Sequence, residues 1–150
     1  MSNAWLGERD WTVQFFFYRD LAWNPGATSR LVASALRRGQ RFLLGTAVSP
    51  AFRPTAVWRL PTDEDSVERF FEANYRICNI LFPADRSFAV HGSDGDFCTF
   101  AGPESFIREA LSDEAIGTEA TAAVVAEVER EYGKGCMKGT LAHYEAFMVE

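Results

Sequence analysis

The chain has 150 residues, of which 47% are hydrophobic and 24% charged; this is enough for one domain with a proper core, and the composition is not that of a disordered chain. Its net charge is −6 and its pI about 5.0, which argues against generic nucleic-acid binding, since a phosphate backbone is read by clustered Lys and Arg. The charge is divided along the chain: through Arg59 eight basic residues stand against three acidic ones (net +5), and from Leu60 onward seven stand against eighteen (net −11).

Residues 1–8 are read as a disordered or partly tag-derived start. Trp11–Arg19 (WTVQFFFYR) has the aromatic and β-branched composition of a strand, with Trp11, Val13, Phe15 and Phe17 on one face and Thr12, Gln14, Phe16 and Tyr18 on the other. Asn24-Pro25-Gly26 marks a turn. Thr28 or Ser29 is expected to cap a helix that runs to about Arg38 and stops at Gly39. Arg41–Val48 and Thr55–Leu60 read as strands.

From an N-cap at Thr62, a single helix is expected to run to Pro83. Asp63, Glu64 and Asp65 suit the positive end of its dipole. Val67, Phe70, Phe71, Asn74, Cys78, Leu81 and Phe82 recur at three and four residues and form one apolar stripe broken only by Asn74. Ser87–His91 and Phe97–Ala101 flank a Gly/Asp loop of hairpin type. Helices follow over Glu104–Leu111 and Thr118–Tyr132, and the pattern of Thr140–Val149 does not decide between helix and strand. The expected fold is therefore α+β: a single domain over 1–150, with a mixed or mainly antiparallel sheet of about five strands and helices packed mainly on one face.

Candidate chemistry is sparse. His91 lies near Asp94, Asp96 and Cys98, so a thiol–imidazole–carboxylate set can be drawn, but a buried thiol beside a loop-edge histidine is the simpler reading. No catalytic residue is assigned beyond these two weak candidates. Asp94-Gly95-Asp96 lacks the further oxygens of a calcium loop, because the twelfth position from Asp94 is Ser105. The Gly133–Thr140 stretch places its lysines wrongly for a phosphate loop. Neither the two histidines nor Cys78, Cys98 and Cys136 show zinc-ligand spacing, so no metal and no cofactor is expected. Paired carboxylates such as Asp63 and Asp65 are read as helix-surface charge rather than as a glycosidase pair.

Three unpaired cysteines suit a reducing compartment, and neither a secretory signal nor a long apolar run is visible, so a cytoplasmic location without a membrane segment is expected. The leading functional expectation is a non-catalytic protein-binding domain of the bacterial immunity or inhibitor type. It would dock a basic partner protein through an acidic face formed by Asp113, Glu114, Glu119, Glu127, Glu129 and Glu131, with no nucleic-acid partner. The alternative is a small-molecule binder or enzyme with a pocket near His91 and Cys98, drawing on Trp58, Tyr75 and the stripe-breaking Asn74. Surplus aromatic residues are also compatible with a homo-oligomeric interface.

Overall fold

The computed structural model describes residues 3–48, 54–93 and 96–150. Six strands form one sheet: β1 (Thr12–Phe17), β2 (Phe42–Val48), β3 (Pro54–Pro61), β4 (Asn79–Phe82), β5 (Ala89–Gly92) and β6 (Phe97–Gly102). Their order is β1-β6-β5-β4-β2-β3, and every pairing is antiparallel. The architecture is α+β, with one strand more than the sequence suggests.

Alternation along the strands builds two cores. Leu43, Leu81, Val90, Cys98 and Phe100 point to one face and pack under α2 (Tyr18–Trp23), α3 (Pro25–Arg37), α4 (Glu64–Ala73) and α5 (Glu104–Ala110). On this side the rings of Phe88 and Phe106 stack with centroids 4.1 Å apart. Val13, Phe15, Ala89, Phe97 and Ala101 point the other way, beneath α1 (Asn3–Gly7), α6 (Thr118–Tyr132) and α7 (Lys138–Tyr144). The larger helical layer thus lies on one face, and a smaller one covers the β1–β6–β5–β4 part of the other. Of the start expected to be disordered, Asn3–Gly7 is helical and Leu6 is fully buried.

The helix expected over Thr62–Phe82 is two elements. Asp63, not Thr62, caps α4 by accepting from the Ser66 amide at 2.8 Å. At the other end Asn74 is the C-cap, and the Phe70 carbonyl accepts from both its backbone amide at 3.2 Å and its side chain at 2.7 Å. Arg76 then takes a left-handed φ of 60°, the chain reverses, and Asn79–Phe82 enters the sheet between β2 and β5. A burial preference in a strand of four residues cannot be told from the next turn of an apolar helix stripe.

Two smaller corrections concern the segment after β1. β1 ends at Phe17, and Tyr18–Trp23 is helical, because the Tyr18 amide is the last to bond across to β6, at the Asp96 carbonyl (3.0 Å). The cap of α3 is Asn24, whose side chain accepts from Gly26 while Pro25 occupies the first helical position. Thr28 is interior and donates to the Leu21 carbonyl at 2.9 Å. The tail is helix first: after α7, Met148 forms an isolated parallel bridge to Val13 on the outer edge of β1.

Gln14 joins the layers. It is fully buried; its amide donates to the Phe15 carbonyl (3.0 Å) and the Thr121 hydroxyl (3.1 Å), and its oxygen accepts from the Gly117 amide (2.9 Å). These bonds pin the start of α6 to the outer edge of β1.

Candidate functional site

A groove of about 700 Å³ lies between the β5–β6 face and the α6–α7 corner. Its floor follows from strand alternation. His91 pairs with Thr99 across β5 and β6, and both turn to the face that holds Phe97. Ser93 and Cys78 extend the floor, and α6 adds Val128 and Tyr132. Gly133, with φ of 105°, ends α6 and lets the chain fold back as a wall of Cys136 and Met137. From α7 come Thr140, His143 and Tyr144. Thr99, Ser93, Met137 and Tyr144 are buried, His91 is half-buried and His143 exposed.

The groove brings together both histidines of the chain, 52 positions apart in sequence, on a mainly apolar lining. The loop closing one end, Gly133–Met137, together with the first residue of α7, carries Lys134 and Lys138, the only lysines. This loop is fixed where the Gly135 amide donates to Glu129 at 2.8 Å.

One rim is held by a polar hub. Asp96 accepts from the Tyr132 hydroxyl at 2.9 Å and from Arg76 at 3.3 and 3.4 Å, and Arg76 also reaches Glu131 at 3.2 Å. Burial pushes the Asp96 carboxyl up, but the hydrogen bonds from Tyr75, Arg76 and Tyr132 outweigh it and leave the group below its ordinary range. Tyr132 is pushed up to about 12 by its surroundings and by the Asp96 acceptor. Arg76 and Asp96 both hold φ near 60°, a conformation that costs energy for residues with a Cβ and persists here because the pair is tied from several sides.

A second concavity, of about 430 Å³, runs beside the outer edge of β1 between α3, α5 and α6. Its lining is mostly Phe and Ala, with Asp20, Arg30 and Glu114 as its charged members.

The residues singled out from sequence separate. Cys98 is not a partner of His91: it pairs with Gly92, points to the opposite face, is fully buried, and donates its thiol to the Phe16 carbonyl at 3.5 Å. Burial holds its thiol well above the ordinary value, so it stays protonated. Asp94 lies outside the described residues, and Asp96 is occupied by Arg76 and the tyrosines. Asn74 is a helix terminator. Trp58 packs on Phe70 and Tyr75 on Trp23, and neither lines a groove.

Three of the six acidic candidates already have partners within the chain. Glu127 meets Arg19 at 3.5 Å and Arg130 at 2.5 Å, Glu131 meets Arg76, and Glu129 holds the Gly135 amide. Asp113 and Glu114 sit in a separate turn before α6, and Glu119 in its first turn. At 1.5 Å per residue, Glu119 and Glu131 are about 18 Å apart along the helix. Arg19 from the front half and Arg76 and Arg130 from the back half thus stand among these carboxylates, a placement that no count of charge by sequence position can reveal.

Among the described residues no group of three or more His, Cys, Asp or Glu side chains could hold a metal ion, and no helix is long and apolar enough to cross a membrane. Comparison with known proteins finds no relative: no family model fits the chain, and no curated protein or solved structure is significantly similar to it.

Proposed function

We propose that the protein is a ligand-binding domain whose site is the groove between the β5–β6 face and α6–α7, and that its ligand is a small molecule with an aromatic or aliphatic body and an anionic head. The observation that carries this reading is the convergence of His91 and His143 on one apolar groove, with Lys134 in the loop before α7 and Lys138 at the start of α7. Its volume of about 700 Å³ suits such a ligand, since small-molecule sites are typically clefts of roughly 300–1,000 Å³ with few polar groups. Phe97, Val128, Met137 and Tyr144 would cover the body, and the imidazoles, Thr99 and Thr140 would take the head.

Docking of a basic partner through an acidic face is less well supported. Such steering needs carboxylates that are free to act together, and Glu127 and Glu131 already face arginines of their own chain.

Calorimetric titration with 2-naphthoate tests the groove. At about 0.3 kcal/mol per heavy atom, its thirteen atoms give about 4 kcal/mol, a Kd near 1 mM. Thr140→Trp, which fills the groove from half-exposed α7, is expected to abolish this binding without changing the melting temperature. Equal binding by wild type and Thr140→Trp would place the ligand elsewhere.

A further inference from the structure

We infer that β3 is a self-association edge: two copies of the chain pair their β3 strands antiparallel about a two-fold axis at Trp58, joining two six-stranded sheets into one. β3 is the outermost strand on its side of the sheet, and among the described residues nothing pairs with its outer edge. The Thr62 amide bonds to the Arg41 carbonyl at 3.1 Å. Counting back by twos, the hydrogen-bonded pairs with β2 are Leu60 with Leu43 and Trp58 with Gly45. Val57 and Arg59 therefore turn their backbone N–H and C=O groups outward.

This outward edge is self-complementary. With the axis at Trp58, Val57 of one copy faces Arg59 of the other and the two exchange both bonds, giving four main-chain hydrogen bonds in all. The only charge on β3 is Arg59, and it meets Val57 rather than its own copy, so no like charges stand opposite. Its guanidinium lies 3.7 Å above the Phe42 ring of the same chain, along the face rather than across the edge. Val57 and Phe42 are 62% and 44% exposed on the face whose α6–α7 layer does not reach this corner, while Trp58, 39% exposed, lies on the opposite face against Phe70 of α4. Pairing would set the two Trp58 side chains side by side and cover part of this apolar surface.

The association stops at two. Pro61 has no N–H to extend the ladder. The opposite edge of the sheet, β1, is occupied by Met148–Val149 and by the Gln14 bonds to α6. An interface that uses one edge and leaves none free closes as a dimer instead of growing into a fibre.

Sedimentation velocity of the full chain between about 1 and about 200 µM tests this, because a dimer's population depends on protomer concentration. The expected result is a species of twice 16.8 kDa that grows with concentration. Val57→Pro deletes two of the four donors at the axis and is expected to leave a monomer with an unchanged circular dichroism spectrum. Independently, Trp58→Cys on a Cys78→Ser, Cys136→Ser background is expected to cross-link two chains on mild oxidation, because facing residues at a non-hydrogen-bonded pair lie within disulfide reach. A chain that stays monomeric throughout, a dimer that survives Val57→Pro, or a dimer in which Trp58→Cys does not cross-link would each overturn the inference.

Discussion

Replacing Gln14 by Leu keeps the volume of a buried side chain while removing every hydrogen bond that ties α6 to β1. Three groups lose their partner: the Gly117 amide, the Phe15 carbonyl and the Thr121 hydroxyl. The hydroxyl can turn to the carbonyl one helical turn back, so its loss is small. The other two are main-chain groups, and Gly117 is itself buried; each costs about 1–3 kcal/mol when left unsatisfied. Better burial of Leu than of Gln returns about 1 kcal/mol. The net loss is about 3 kcal/mol, which for a chain of this size lowers the melting temperature by roughly 6–12 °C. Thermal unfolding followed by circular dichroism measures it, and hydrogen exchange should show protection falling first in Thr118–Tyr132. Gln14→Glu adds a signed test: the buried carboxylate cannot donate, so the variant is unstable at neutral pH and recovers as the pH falls far enough to protonate it. A Leu variant melting within about 2 °C of the parent would show that these bonds do not hold α6 in place.

Gly92→Ala puts a Cβ 2.2 Å from the Tyr18 ring and 2.7 Å from the Asn79 amide. It therefore breaks up the buried pair in which Asn79 donates to the Tyr18 hydroxyl at 2.7 Å, and urea unfolding should register a loss of roughly 2–4 kcal/mol. Asp96 has a depressed folded-state pKa, so its contribution is full above the unfolded-state value and fades as the pH falls through the folded one. Asp96→Asn, which keeps the left-handed backbone acceptable, should cost about 1–2 kcal/mol at pH 7 and flatten the acid limb of the stability curve; an unchanged limb would remove the hub from the account. Maleimide labelling of the native protein should modify exposed Cys136 and, more slowly, half-buried Cys78, while Cys98 reacts only in denaturant. Labelling of Cys98 at the rate of Cys136 would contradict its placement beneath the helices.

The parts of this fold legible in sequence are those whose periodicity is long and whose boundaries carry local signals. α6 and α5 are of this kind, and so are β2 and β3, which are rich in apolar residues and flanked in sequence by Gly, Ser and Pro. The strand β4 was hidden because Cys78, Leu81 and Phe82 continue the stripe of α4 in phase, and the signal that separates them is tertiary: Asn74 folding back on Phe70 and Arg76 reversing the chain. For the candidate site, alternation through Phe97, Thr99 and Ala101 shows that Cys98 lies on the other face from Thr99, but not that His91 is the neighbour of Thr99, which depends on the register of β5 with β6. That His143 reaches the same groove rests on where Gly133 ends α6. The arginine partners of Glu127 and Glu131 are hidden for a related reason: Arg19 and Arg76 lie far from them in the chain and are brought to them only by packing.

The reading of the groove as a ligand site is tested most directly by following the two histidine Cε1–H resonances by NMR as 2-naphthoate is added. Both signals, assigned with His91→Gln and His143→Gln, should shift along a common saturation curve while the Trp58 indole signal stays in place. If the ligand binds and either histidine is unmoved, or if neither responds up to the solubility limit of the probe, the groove is not the site.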